Sequence, residues 1–332
     1  MKKRYWIGGA YAVAGAALAV KLLARPRDVE WSEHAPCLPH ADKSRFAEVG
    51  GVRVHYQEAG DADAPVIILI HGFCASNFVW CDVIEPLADA GFRVIAPDLV
   101  GFGFTGKPAD GEYTIEAQAR MIVGLLDQLG IGRAILIGSS YGGAVSAVCA
   151  LDYPLRVERL VLVAAVSNDD VKRMPLLRLA AAPLMGDLLS PVMIDIRHLV
   201  KRRMKKVYAA NNGHLLDERR IAAHHTPLRA ASTHRAILRT LRRWSARRIE
   251  DEAARIRQPV LLVWGAQDKD VPLKNGERLH QLIPQSRLFV FPHSGHLPQE
   301  ERPEEFVAVV TDFCRAAMEH SRESERIAVE AV

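Results

Sequence analysis

The stretch from Ala134 to Leu151 constrains the fold most strongly, because it places a Gly138-x-Ser140-x-Gly142 motif between two regular segments. The apolar, β-branched run before the motif predicts a buried strand, and the small-residue run after it predicts a helix. A chain that turns so sharply from strand to helix needs small residues at both glycine positions. The turn would hold Ser140 at the carboxyl end of the strand, near the positive end of the helix dipole. The stretch therefore predicts a reactive serine at the edge of a sheet.

Strand and helix patterns alternate along the rest of the chain. Two short strands around Gly50–Gly51 predict a hairpin, and the apolar run from Pro65 to Ile70 is typical of a parallel strand buried on both faces. Further strands are predicted at 93–97, 159–165, 259–264 and 287–291, and helices at 80–90, 114–129, 275–283 and 303–318. This alternation predicts an α/β fold with a mostly parallel, doubly wound sheet.

The length of 332 residues accommodates one α/β domain with an insertion. The insertion, rich in Leu, Ala and Arg and without a strand pattern, predicts a helical lid over the carboxyl ends of the strands. The predicted organisation is an N-terminal membrane anchor or signal segment at 1–25, a linker at 26–44, the first part of the core at 45–165, the lid at 166–250, the second part of the core at 251–320 and a C-terminal tail at 321–332.

An apolar run from Tyr5 to Ala24 follows three basic residues at the N-terminus. Its length is close to the roughly 20 residues that a membrane-spanning helix needs. We therefore expect a membrane-associated protein with a single N-terminal anchor, whose orientation the flanking charges leave open. The alternative is secretion after cleavage of a signal peptide at the small residues of Ala17-Leu18-Ala19.

A nucleophilic serine needs a base, and the base needs a carboxylate that orients it. The strand predicted at 259–264 is followed by Asp268 and Asp270, and the last strand is followed by His293 and His296. In one large group of enzymes built on a parallel sheet, the catalytic serine, acid and histidine follow one another along the chain in this order. We predict Asp268 as the acid, with Asp270 as the alternative, and His296 as the base, with His293 as the alternative.

Acyl transfer also requires N–H donors that stabilise the oxyanion. The backbone N–H of Tyr141, the residue after the proposed nucleophile, is the first predicted donor. The second is the N–H of Phe73, in the loop that follows the strand ending at Ile70. His71 is expected to hold this loop in place by hydrogen bonds.

The predicted lid is strongly basic. Between residues 165 and 250 the chain has eighteen Lys and Arg and seven Asp and Glu, although the whole protein has a net charge of only +4. Basic residues near an anionic bilayer each contribute about 1 kcal/mol of attraction. The sequence therefore predicts membrane contact through residues 5–24 and through the basic lid, unless acids elsewhere in the domain neutralise the lid.

Five motifs occur in an order that resembles the α/β-hydrolase superfamily, over roughly residues 45–318. They are His71-Gly72-Phe73, Asp98 with its glycine-rich loop, Gly138-Ser-Ser-Tyr-Gly142, Trp264-Gly-Ala-Gln-Asp268 and Gly295-His296. The resemblance implies an α/β-hydrolase fold with Ser140, Asp268 and His296 as nucleophile, acid and base. With the N-terminal apolar run, the chain more narrowly resembles membrane-anchored monoacylglycerol lipases and related esterases.

The function expected from the sequence is a serine hydrolase that cleaves acylglycerols or other lipid-like carboxylic esters through an acyl-enzyme. Alternatives are hydrolysis of a carbon–carbon bond in a small diketone, or non-catalytic binding of a small molecule on the same fold. No cofactor is expected, because the Gly101-x-Gly103-x-x-Gly106 run is followed by Pro108 and does not open a helix as a dinucleotide site would. The cysteine and histidine spacings predict no metal site, and the modest net charge predicts no nucleic-acid partner. The oligomeric state is left open.

Overall fold

An eight-stranded sheet forms the centre of the computed structural model, in the order β1-β2-β4-β3-β5-β6-β7-β8. The structure describes residues 31–35, 38–170, 196–230 and 232–315, and the single positions 15, 181, 182 and 186. The strands are β1 (Ser44–Val49), β2 (Val52–Ala59), β3 (Val66–Ile70), β4 (Arg93–Pro97), β5 (Ala134–Ser139), β6 (Val157–Val163), β7 (Val260–Gly265) and β8 (Ser286–Phe291). Strand β2 pairs antiparallel with β1 and β4, and all other pairings are parallel. The fold class predicted from the sequence is confirmed.

Helices follow most of the strands. Their bounds are α1 (Trp31–His34), α2 (Ile84–Asp89), α3 (Ile115–Gln128), α4 (Tyr141–Asp152), α5 (Arg197–Val207), α6 (Glu218–His225), α7 (Thr233–Arg242), α8 (Arg248–Glu252), α9 (Leu273–Leu282), α10 (Pro298–Glu301) and the helical residues 303–315, here α11. Helix α3 begins where the side chain of Thr114 accepts a hydrogen bond from the N–H of Ala117 at 3.1 Å, a normal N-terminal cap. Helices α5 to α7 lie in the predicted lid, of which the structure describes residues 166–170, 196–230 and 232–250, apart from single positions between them.

The apolar strand residues alternate between the two faces of the sheet. Ile68 and Ile70 of β3 pack in one hydrophobic cluster with α3 and α4, whereas Ile67 and Leu69 pack in a second cluster with α2 and α11. Alternation follows from the two-residue period of a strand, and burial of both faces explains the continuous apolar runs in the sequence. This double-sided core holds the carboxyl ends of β3, β5, β6 and β7 at one edge.

Acids of the core neutralise part of the charge of the lid. Arg203 of α5 pairs with Asp270, Arg220 of α6 pairs with Asp82 and Glu300, and Arg248 of α8 pairs with Asp152. These three arginines of the lid therefore form ion pairs with acids of the core. Arg197 and Lys201 are paired locally, with Glu218.

The expected N-terminal membrane anchor, and with it the membrane-associated localisation, is wrong. In the described part of the chain, no helix has the length and apolar character required to cross a bilayer. The longest helix with described bounds, α3, has 14 residues and one polar face, whereas a span requires about 20 apolar residues. Residues 5–24, on which the expectation rested, lie outside the described residues except for position 15.

Candidate active site

Ser140 lies at the turn between β5 and α4 in a strained backbone conformation, with φ of 55° and ψ of −114°. A Cβ atom at Gly138 would lie 2.2 Å from the carbonyl oxygen of Gly142, and a Cβ atom at Gly142 would lie 2.1 Å from that of Ile70. Neither position can carry a side chain unless strand and helix separate. The two glycines thus allow the turn that presents Ser140, as the motif predicts.

Backbone hydrogen bonds fix the turn on the sheet. The N–H of Ser140 donates to the carbonyl of Val163 at 2.8 Å, and the carbonyl of Ser140 accepts from the N–H groups of Gly143 and Val166 at 3.0 Å each. Because Val163 ends β6 and Val166 follows it, the neighbouring strand holds the serine. A strained residue persists only where its surroundings determine it in this way.

His296 and Asp268 form a buried hydrogen-bonded pair, with 2.7 Å between Nδ1 and Oδ2. The other carboxylate oxygen of Asp268 accepts from the N–H groups of Asp270 and Val271, at 2.8 and 3.0 Å. His296 follows β8 and Asp268 follows β7, so adjacent strands present the two side chains at one edge. Burial alone would lower the pKa of His296, but the charge and hydrogen bond of Asp268 outweigh burial and raise it above its ordinary value.

The alternative acids and histidines that the sequence leaves open lie in different surroundings. Asp270 points to Arg203 of the lid, with 2.9 Å between Nη1 and Oδ1, and the carboxylate that contacts His296 is that of Asp268. His293 is exposed, and its carbonyl accepts a hydrogen bond from Asn212. The geometry therefore pairs the first-choice acid with the first-choice histidine.

The loop of His296 lies beside the turn of Ser140. Gln299, three residues after His296, donates to the hydroxyl of Ser139 at 3.5 Å. Among the residues that the structure describes, Ser140 and His296 are not joined by a hydrogen bond of 3.5 Å or less. In hydrolases this contact is often long before substrate binds and shortens in the reactive complex. Proton transfer from Ser140 to His296 therefore requires the two side chains to approach each other when substrate binds.

The loop after β3 borders the serine on its other side. A Cβ atom at Gly72 would lie 3.2 Å from Cβ and 3.8 Å from Oγ of Ser140, so this backbone comes close to the hydroxyl. No hydrogen bond joins the N–H of Phe73 or of Tyr141 to the surrounding loops, as far as the described residues extend. Both N–H groups are available to an oxyanion, as required of the predicted donors.

Buried polar groups hold that loop. Nε2 of His71 accepts from the N–H of Leu99 at 3.0 Å, which leaves Nδ1 to donate to the carbonyl of Gly72 at 2.8 Å. Burial lowers the pKa of His71, and the opposing effect of Asp98 is smaller. A neutral histidine that bridges two loops matches its expected structural role.

Sequence reasoning named Asp98 as part of a motif without giving it a role, and it missed Trp244. Asp98 is fully buried and accepts hydrogen bonds from Nδ1 of His55 and from the N–H of Asn77, each at 2.7 Å. Trp244 follows α7 in the lid and packs against the rings of Tyr141 and Phe73, with centroid distances of 4.9 and 5.5 Å. The glycine-rich loop after Asp98 could have indicated a buried carboxylate, whereas a single tryptophan in a helical insertion carries no positional signal.

Comparisons with known proteins agree with this geometry. The family model described as the alpha/beta hydrolase fold matches residues 65–303. The chain belongs to the α/β-hydrolase family. The 2-hydroxy-6-oxo-2,4-heptadienoate hydrolase of Pseudomonas putida is 32% identical to this hydrolase, over 83% of this chain and 98% of its own.

Two further similarities point in the same direction. The 2-hydroxy-6-oxo-6-phenylhexa-2,4-dienoate hydrolase of Comamonas testosteroni is 30% identical over 84% of this α/β-hydrolase and 98% of its own length. The crystal structure of CarC, a serine hydrolase involved in carbazole degradation, superposes with a TM-score of 0.68 at 27% identity, covering 82% of this chain and 98% of that one. These similarities support the superfamily, but they do not support the narrower resemblance to membrane-anchored monoacylglycerol lipases.

Proposed function

We propose that this chain is a serine hydrolase that cleaves the carbon–carbon bond beside a ketone in a small 2-hydroxy-6-oxo-dienoate. The observation that carries the proposal is the buried His296–Asp268 pair beside the strained Ser140. Relatives at least 30% identical over more than four fifths of the chain are named for such substrates. This order reverses the expectation from the sequence, which placed ester cleavage first and carbon–carbon cleavage second.

Each proposed catalytic group has one role. The oxygen of Ser140 adds to the ketone carbon while His296 takes the hydroxyl proton, and Asp268 orients the ring and stabilises its positive charge. The N–H groups of Phe73 and Tyr141 stabilise the oxyanion. Before this addition, the proton of the substrate's 2-hydroxyl group moves to the carbon next to the ketone, which converts the dienol into its 2-oxo tautomer. When the carbon–carbon bond breaks, its electron pair enters the conjugated 2-oxo group, the oxygen of that group takes the proton held by His296, and the 2-hydroxydienoate leaves. Water then releases the acyl group from Ser140 as a carboxylic acid.

A cation of the lid supports an anionic substrate. Arg203 is 57% exposed and pairs with Asp270, whose backbone N–H donates to the carboxylate of Asp268 at 2.8 Å. Its guanidinium group is therefore held at the loop that carries the proposed acid. A guanidinium has five N–H donors, and the pair with Asp270 uses two of them, so Arg203 can also bind the carboxylate of a dienoate.

The test compares two substrates on the purified protein. We expect kcat/KM for 2-hydroxy-6-oxo-6-phenylhexa-2,4-dienoate to exceed that for p-nitrophenyl butyrate at least about 10-fold, because binding energy used in the transition state raises this ratio. Turnover of the ester without cleavage of the dienoate would indicate that the protein is an ester hydrolase. A protein that turns over neither compound and resists a fluorophosphonate would be a binding protein.

The activity should fall as the pH is lowered through the pKa of His296, because a protonated ring cannot accept the proton of Ser140. Since Asp268 raises that pKa above its ordinary value of 6.5, the acid limb of the kcat/KM profile should lie above pH 6.5. The profile is measured with p-nitrophenyl butyrate between pH 5 and 9, values chosen to bracket the ordinary range of a histidine. In Asp268→Asn the limb should move to lower pH, and an unmoved limb would contradict the assignment.

A further inference from the structure

The lid and the loop of His296 are joined by direct backbone contact. The N–H of His296 donates to the carbonyl of Val207, at the end of α5, at 2.8 Å. A Cβ atom at Gly295 would lie 2.4 Å from the same carbonyl oxygen, so only glycine permits this approach. The lid segment after α5 therefore lies directly against the residue that we propose as the base.

One buried carboxylate bridges these two segments. Oε1 of Glu301 accepts from the N–H of Gly295 at 2.8 Å, on the side of the His296 loop. Oε2 accepts from the N–H of Ala209 at 2.8 Å and from Nδ2 of Asn212 at 2.6 Å, both in the lid. Glu301 is only 2% exposed. If its carboxylate is removed, water cannot take the place of the two oxygens as acceptor of these hydrogen bonds.

We propose that Glu301 is a positioning residue that couples the lid to the orientation of His296. The inference rests on the proposed role of His296 as the base. Without the carboxylate, buried N–H groups on both sides lose their acceptor, and a buried donor without an acceptor is unfavourable. The loop and the lid segment would then separate, and a displacement of about 1 Å at a reacting group can lower the rate about 100-fold.

The neighbouring carboxylate provides a matched control. Glu300 is as buried as Glu301, but its Oε2 accepts from side chains of the lid, at 3.1 Å from Nη1 of Arg220 and 3.2 Å from Nε2 of His224. The hydroxyl of Tyr208 is a third donor. None of these contacts reaches the loop of His296 within the described residues. Loss of Glu300 should weaken the packing of the lid and leave the base in place.

The experiment measures Glu301→Gln and Glu300→Gln with p-nitrophenyl butyrate, below the melting temperature of each variant. A glutamine at position 301 keeps one acceptor oxygen and replaces the other by an NH2 group. This NH2 group faces an N–H donor either in the His296 loop or in the lid, so the hydrogen bonds on that side are lost. We expect kcat of Glu301→Gln to fall about 10- to 100-fold with KM within about twofold, since positioning acts on the reacting group. Glu300→Gln should lower the melting temperature and keep kcat within about threefold.

Asn212→Ala tests the same link from the lid side, and it serves if Glu301→Gln fails to fold. We expect it to lower kcat about 3- to 10-fold, and the double variant to be no slower than Glu301→Gln alone, because two changes in one hydrogen-bonded link are not additive. A folded Glu301→Gln with kcat within twofold of the parent protein would overturn the inference. So would an equal loss of kcat in Glu300→Gln, or full additivity in the double variant.

The failure of this inference is distinguishable from the failure of the proposed function. His296→Ala, measured with the same ester, tests the base independently of Glu301. If His296→Ala is inactive and Glu301→Gln is normal, only the positioning role fails. If His296→Ala remains active, the assignment of the base itself is wrong, and the positioning inference falls with it.

Discussion

Replacement of Ser140 by alanine is expected to lower kcat by about 10⁴- to 10⁶-fold, because the remaining groups can stabilise an oxyanion but cannot form the acyl-enzyme. The strained turn is held by backbone contacts of Ser140 with Val163 and Val166, so alanine should keep its geometry. KM should change little. The measurement is steady-state turnover of both the dienoate and p-nitrophenyl butyrate.

Ser139→Ala is the matched control for this variant. Ser139 is the last residue of β5 and is fully buried, and its hydroxyl accepts a hydrogen bond from Gln299 at 3.5 Å. Its loss leaves the side-chain amide of the buried Gln299 without this acceptor, which should cost about 1–3 kcal/mol of stability. Turnover should stay within a fewfold of the parent protein. The opposite ranking, with Ser139→Ala inactive and Ser140→Ala active, would move the nucleophile by one residue.

Replacement of Asp268 by asparagine is expected to lower kcat by about 10⁴-fold, because an amide cannot stabilise the positive charge that develops on His296 and favours the wrong tautomer. The carboxylate also accepts the N–H groups of Asp270 and Val271, and the asparagine oxygen can keep that contact. The loop should therefore stay folded, and thermal melting of the variant verifies this.

Asp270→Asn provides the comparison. It weakens the ion pair with Arg203, which is more than half exposed, and exposed pairs contribute about 0–1 kcal/mol. We expect at most about a 10-fold loss of kcat/KM for the dienoate, through the altered position of Arg203. Equal losses in the two variants would show that the carboxylates act as a pair, and a larger loss in Asp270→Asn would reassign the acid.

Much of the fold was predictable because local signals and burial agree. The run Val66–Ile70 is buried along almost its whole length, so its apolar sequence indicates a central parallel strand without ambiguity. The hairpin around Gly50–Gly51 is found between β1 and β2, and both glycines have positive φ. The glycines that flank Ser140 are required by contacts under 2.5 Å, so their spacing indicated the turn.

The remaining features depend on contacts between distant parts of the chain. Asp268 and Asp270 are two residues apart in one loop, and their sequence context does not show which one faces the histidine. The choice follows from Arg203, which is 67 residues away and faces Asp270. Glu301 and Trp244 act across the boundary between lid and core, where neither hydrophobic period nor motif spacing carries information.

The net charge of the lid illustrates the same limit. A count of residues shows an excess of Lys and Arg in 165–250, but it does not show where the counter-charges are. Arg220 pairs with Asp82 and with Glu300, and the side chain of Glu300 is fully buried. This cation therefore links the lid to the core and is largely shielded from solvent. Charge pattern alone could not separate a membrane surface from an internal network.

Peptide mapping of a fluorophosphonate adduct identifies the nucleophile directly, because the reagent bonds to a serine that its surroundings activate. We expect a single adduct on the peptide that contains Ser140, present in the parent protein and in Ser139→Ala and absent in Ser140→Ala. Prior incubation with the dienoate should slow its formation. An adduct on another residue, or labelling that persists in Ser140→Ala, would show that Ser140 is not the nucleophile.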